Sequence, residues 1–188
     1  MLELSARKYR VEITNDPSHT VGSADNCRSY DREYYLNNAR SEYAVTSRHA
    51  VTISDKTETI ATCILLADGG ASGIHENSAI ILDQSCIIAV GPFITSLKIP
   101  SLELLWSTKA DTATCFGVYR SDKHHCLISH GELEIARVSY DGQLAWQTGG
   151  ADIFTNGITI HDNWVHVVDF NDMEYMIDIE TGREIAAT

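Results

Sequence analysis

Between residues 115 and 149 the chain alternates short apolar runs with polar turns. The stretch reads CFGVYRSDKHHCLISHGELEIARVSYDGQLAWQTG, and its last run ends in Trp146, just after Asp141-Gly142. Runs of four to six residues with period-two alternation, bounded by turn residues, predict antiparallel strands. The stretch therefore predicts one four-stranded β unit. The flanking chain repeats it. Trp106 and Trp146 are 40 residues apart, and the segments SLKIPSLELLW, ARVSYDGQLAW and MIDIETGREIA each place a turn between two strand-like runs. In phase with them, residues 79–82, 115–119 and 157–161 are predicted first strands. Residues 86–90, 126–129 and 164–168 are second strands, 93–98, 133–138 and 174–179 third strands, and 104–106, 143–146 and 183–185 fourth strands.

A four-stranded repeat of ~40 residues has the size of a propeller blade. YDGQLAW and IDIETGREI resemble the Asp-x-x-Thr-Gly-x-x-x-Trp core of the quinoprotein-like (PQQ-like) β-propeller repeat. Asp178, Thr181 and Gly182 fit that core, with Ala186 at the tryptophan position; Trp106 follows a Pro100-Ser101 turn instead of Thr-Gly. The resemblance covers residues 78–188. It implies a glycine that permits the turn and a tryptophan packed between neighbouring blades. Family members that bind the quinone have a complete propeller, a calcium site and commonly adjacent cysteines. With three copies and no adjacent cysteines, this chain is expected to bind no quinone and no other cofactor.

The N-terminal part reads differently. In residues 8–13, Tyr9, Val11 and Ile13 alternate with charged residues, which predicts a half-buried edge or outer strand. Residues 25–45 are polar and contain Tyr30, Tyr34, Tyr35 and Tyr43; they are expected to form a loop with a helical turn or two, with Tyr30, Tyr34 and Asn37 or Asn38 on one face. Residues 49–54 and 59–67 predict a hairpin, the second strand central because TIATCILLA is nearly all apolar. Asp68-Gly69-Gly70-Ala71-Ser72-Gly73 lacks the Lys-Ser/Thr ending of a phosphate loop. The expectation is a single all-β domain over 1–188: N-terminal strands and a polar loop in 1–70, then three antiparallel propeller-like repeats in 74–188. The array is expected to be incomplete or irregular, and an open one would leave edges that a homodimer could cover.

A formal charge of −12 opposes binding to nucleic acid or anionic membranes, with a local basic patch at Arg7, Lys8 and Arg10. No apolar run approaches a membrane span and no signal peptide is evident, so a cytoplasmic protein is expected. The five cysteines, Cys27, Cys63, Cys86, Cys115 and Cys126, form no Cys-x-x-Cys and read as free thiols in a reducing compartment.

Candidate chemistry is thin. His130, Glu132 and Glu134 would share one face of an extended chain and could meet a metal ion, although a turn followed by a strand gives the same letters, and no metal site is assigned. His75-Glu76 could form an acid–base pair. Cys115 would be a nucleophile only beside a histidine. Asp169-Phe170-Asn171-Asp172 lacks the remainder of a calcium loop. The favoured reading is a non-catalytic protein-interaction module contacting its partner through Tyr30, Tyr34, Tyr35 and the loops at one end of the repeats. The alternatives are an enzyme with a site of His75, Glu76, His130 and Glu132, and an acidic inhibitor or immunity-type protein that binds a basic partner.

Overall fold

The computed structural model describes residues 1–36, 45–56 and 58–185. Every regular element among them is a strand, and the strands form four sheets of five, four, four and three. The chain is therefore all-β. The first sheet has the order β1 (Leu2–Ala6), β2 (Tyr9–Asn15), β4 (Ser47–Asp55), β5 (Glu58–Ala67) and β3 (Arg32–Tyr35). The second contains β6 (Ala79–Leu82), β7 (Ser85–Val90), β8 (Phe93–Lys98) and β9 (Leu104–Lys109). The third contains β10 (Cys115–Ser121), β11 (Cys126–Gly131), β12 (Glu134–Ser139) and β13 (Leu144–Gly149). The fourth contains β14 (Ile158–Ile160), β15 (Trp164–Val168) and β16 (Glu174–Asp178). Within the last three sheets each strand pairs antiparallel with its predecessor.

Successive sheets stack face to face, because each strand alternates side chains toward one neighbouring sheet and the other. In β7, Cys86 and Ile88 join the core shared with the first sheet, whereas Ile87 and Ala89 join the core shared with the third. In β11, Leu127 faces the second sheet, and Cys126 and Ile128 face Val165 and Val167 of the fourth. Three core clusters thus link each sheet to the next, and among the described residues none joins the last sheet to the first. The arrangement is an open, incomplete propeller.

Two of the three junctions carry the same dock. The Trp106 indole lies over the Gly142 turn of the next sheet, and its Nε1–H donates to the Tyr140 carbonyl at 3.2 Å. Trp146 repeats this on Gly182, donating to the Ile179 carbonyl at 3.0 Å. Thr108 and Thr148 hydroxyls each donate to the carbonyl of the docked glycine at 2.5 Å. Both glycines have left-handed φ, +88° and +70°, and a Cβ on either would lie 2.6 Å from indole carbon. The first junction solves the problem differently. Leu102, 40 residues before Gly142, also has positive φ (54°), but there the preceding sheet sends no tryptophan. Its side chain is fully buried in the first core, and Tyr34 of β3 supplies the clamp: its hydroxyl donates to the Leu102 carbonyl at 2.9 Å and accepts from the Leu104 N–H.

Four expectations from the sequence need correction. Residues 1–15 form two strands, and β2 is interior, flanked by β1 and β4; the alternation of residues 8–13 identified a strand but carried nothing about its neighbours. Tyr34 and Tyr35 belong to β3, parallel to β5, not to a helical turn. β3 exists because Tyr34 packs into the first core, while Tyr30, Tyr35 and Val21 cover Ile64 and Leu66 on the opposite face of β5. That double coverage explains the unbroken apolar run of β5. The predicted strand at 183–185 is reduced to one bridge, Ile177 to Glu184. Residues 130–134 are not one extended strand: β11 ends at Gly131, β12 begins at Glu134 and a turn separates them. Asn37, Asn38, Tyr43 and Ala186 lie outside the described residues.

Candidate functional site at the loop end of the repeats

The connections between sheets and the turns after the second strand of each sheet gather at one end of the array, and main-chain bonds tie them together. The Cys115 N–H donates to the Gly91 carbonyl at 2.7 Å, and the Phe154 N–H donates to the Glu132 carbonyl at 2.7 Å, one sheet further on. Likewise Glu132 N–H bonds the Thr114 carbonyl and Phe170 N–H bonds the Ile153 carbonyl, both at 2.8 Å. The loops that enter the third and fourth sheets are therefore each fixed to turns on both sides.

Buried polar side chains complete the scaffold. The fully buried Asp111 accepts four backbone N–H bonds: Oδ1 from Ala113 (2.5 Å) and Thr114 (2.8 Å), and Oδ2 from Leu133 (2.9 Å) and Glu134 (2.8 Å). Burial raises its carboxyl above the ordinary value, against the pull of those four donors. Asp169 shapes the next turn, accepting from Asn171 and Met173 N–H groups and from the Tyr175 hydroxyl. Burial pushes its carboxyl up, and these bonds bring it down below the usual value.

The structure brings two of the sequence candidates to one place. His75 Nε2 lies 2.7 Å from the Phe116 carbonyl, and the His130 ring packs edge-on against the Phe116 ring at 5.4 Å. Their nitrogens hold main chain. Because His75 Nδ1 accepts the Asn77 N–H at 3.2 Å, its proton sits on Nε2 and is donated to Phe116. His130 Nε2 bonds the Phe154 carbonyl at 2.9 Å, and burial lowers its pKa to about 4, so the ring is neutral at pH 7. Glu76 is exposed and Glu132 half-buried. Glu134 points elsewhere, accepting from the Thr112 N–H and hydroxyl. Among the described residues, no group of three or more His, Cys, Asp or Glu side chains converges as a metal site would require. Burial pushes the Cys115 thiol up to about 12, and the Ser129 hydroxyl, not a histidine, is hydrogen-bonded to it at 3.3 Å.

The three tyrosines use their hydroxyls internally. Tyr30 donates to Asp16 at 2.6 Å, Tyr34 to Leu102, and Tyr35 to Glu33 at 3.4 Å. What composition and motif reading missed is apolar: Leu133, Phe170 and Met173 are 39%, 62% and 58% exposed on turns of the third and fourth sheets at the loop end. Glu132 and Asp172 lie on the same turns, and Asp152 lies on the connection between β13 and β14. The sequence signal was a large apolar residue inside an acidic turn, as in Asp169-Phe170-Asn171-Asp172-Met173.

No protein-family model matches the chain, and no curated protein matches it. Solved structures do. Hydrazine synthase of Kuenenia stuttgartiensis superposes with TM-score 0.57 at 8% identity over 89% of this chain and 51% of its own. The dihydro-heme d1 dehydrogenase NirN gives 0.52 at 13% identity, over 77% of this chain and 34% of that one. The WD40 β-propeller domain of Doa1 gives 0.50 at 11% identity, over 81% and 52%. The chain has a propeller-type fold. It spans about half the length of two of these structures and a third of the other. At such identities the likeness concerns the fold alone.

Proposed function

We propose that the chain is a non-catalytic protein-interaction module that meets its partner with the loop end of its third and fourth sheets. The observation that carries this reading is the exposure of Leu133, Phe170 and Met173 on turns whose backbone is fixed by Asp111 and Asp169. Rigid turns with large apolar tips bind at low ordering cost, and centrally placed aromatic side chains dominate interface energy. The acidic residues around them, with the net charge of −12, favour a partner whose apolar patch is fringed by Lys and Arg. Kinship with the PQQ-like repeat belongs to the same proposal, supported by the Trp146 dock on the Asp178-x-x-Thr181-Gly182 turn. So does a reducing, cytoplasmic setting, supported by four buried free thiols.

A second reading, a small-molecule site of His75, Glu76, His130 and Glu132, is supported by the convergence of both imidazoles on Phe116. It is the weaker, since both nitrogens of His75 and Nε2 of His130 are engaged with main chain. Affinity purification from the native cell with the wild-type chain and with Phe170→Ser/Met173→Ser tests the proposal. A specific partner retained by the first and lost by the second is expected; equal retention by both refutes the assigned surface.

A further inference from the structure

The opposite end of the array carries a cleft of about 480 Å³, where three turns meet. The β1–β2 turn brings Arg7, Lys8 and Tyr9; the β6–β7 turn brings Asp83 and Gln84; the β8–β9 turn brings Ile99 and Pro100. The volume lies in the range of small-molecule sites, which have apolar walls and a few placed polar groups. Ala6 and Ile99 are buried and Tyr9 half-buried, so they form a wall, and the Ile99 N–H bond to the Gln84 carbonyl at 2.8 Å locks two of the turns together.

The charge at the mouth is anomalous for a chain with 26 acidic and 14 basic residues. Of the basic patch visible in the sequence, Arg10 is neutralised by Glu3 at 2.6 Å and Glu12 at 3.1 Å. Lys8 bonds Asp55 at 2.8 Å and sits 4.9 Å above the Tyr9 ring. Arg7, held in a left-handed turn (φ 58°), pairs with no acid among the described residues. The matching gap between the third and fourth sheets is smaller, about 230 Å³, and there Arg120 pairs with Asp122.

We propose that this cleft binds a small monocarboxylate with an apolar body, of the medium-chain acyl or arylalkanoate class. The guanidinium of Arg7 presents the planar fork that a carboxylate accepts. The apolar tail lies along Ala6, Ile99 and Pro100, with Tyr9 beneath. Asp83 on the facing turn disfavours a second negative charge and so selects against phosphates and dicarboxylates.

The test is a titration of the isotopically labelled chain, followed by amide shifts, with octanoate, octanol and octylamine. Octanoate is expected to shift the amides of residues 6–9, 83–84 and 99 and to bind more tightly than the alcohol or the amine. Loss of a charge-assisted contact weakens binding by roughly tenfold or more, so Arg7→Asn is expected to show that loss. Asparagine tolerates the left-handed turn, so the variant keeps the fold, which its unchanged remaining amide spectrum verifies. Arg120→Asn, at the end of β10 beside the smaller gap, is expected to leave binding unchanged. Octanol binding as well as octanoate, undiminished binding by Arg7→Asn, or an absence of shifts at the three turns would each overturn the proposal.

Discussion

Replacing Gly182 by alanine tests the dock between the third and fourth sheets. Two costs add. The residue has φ +70°, and a left-handed alanine costs about 1–2 kcal/mol. The new Cβ would also sit 2.6 Å from indole carbons of Trp146, where carbon contacts ordinarily settle at about 3.5–4.0 Å. The indole cannot simply retreat, because its Nε1–H is bonded to the Ile179 carbonyl at 3.0 Å. Overpacking of this kind costs about 1–3 kcal/mol, and the sum is about 2–5 kcal/mol. At ~2–4 °C per kcal/mol for a chain of this length, a central value near ~3 kcal/mol lowers Tm by ~6–12 °C. Gly22 supplies the control: its φ is +68° and a Cβ there meets nothing within 4 Å. Gly22→Ala carries the same backbone cost and the same gain from a stiffer unfolded chain, so the difference between the variants isolates the indole contact. Thermal and urea unfolding of both, with Trp146→Ala added to Gly182→Ala, measures it. If Gly182→Ala costs no more than Gly22→Ala, tryptophan docking does not hold the sheets in place.

Three further outcomes are expected. Burial lowers the folded pKa of both His49 and His130 from 6.5 to about 4. Below pH 6.5 the unfolded chain therefore binds protons that the folded chain refuses. Stability falls as pH drops from 6.5 toward 4, by up to ~1.4 kcal/mol per pH unit for each ring; urea unfolding of His130→Asn across that window should show a slope smaller by about one proton. Burial raises the Cys63 and Cys115 thiols to about 12 and lifts Cys86 and Cys126 as well, whereas Cys27 is exposed, so a thiol reagent should titrate one cysteine in the native chain and all five after denaturation. Asp111→Asn replaces a carboxylate that holds four N–H groups with an amide that has one acceptor oxygen, and should lower stability by about 2–4 kcal/mol in the same unfolding assay.

The repeat was legible because its constraints are local. Two tryptophans 40 residues apart, a turn shortly before each and period-two alternation between them record the dock and the two-faced strands directly. Strands whose partners are distant were harder to read. β3 is four residues, Arg-Glu-Tyr-Tyr, and its pairing with β5 crosses 31 positions of chain, so nothing local marks it as a strand. The first junction escaped the pattern because Leu102 and Tyr34 replace glycine and tryptophan while keeping the left-handed turn. At the loop end, sequence drew attention to histidines and carboxylates, yet their letters do not say whether a ring nitrogen faces solvent or a carbonyl. In the fold, His75 and His130 hold Phe116 and Phe154 main chain. The exposed apolar tips stood in plain view as Phe170 and Met173, but inside an acidic turn they read as ordinary turn residues until the backbone showed them pointing outward.

The interaction surface is tested most directly by a photo-crosslinking side chain at Phe170, with the same group at Leu105, 48% exposed on β9, as the control. Irradiation in the native cell should yield a discrete protein adduct from position 170 and none of that mass from position 105. Indistinguishable adducts from the two positions, or no adduct at 170, would contradict the assignment of the loop end as the partner-binding face.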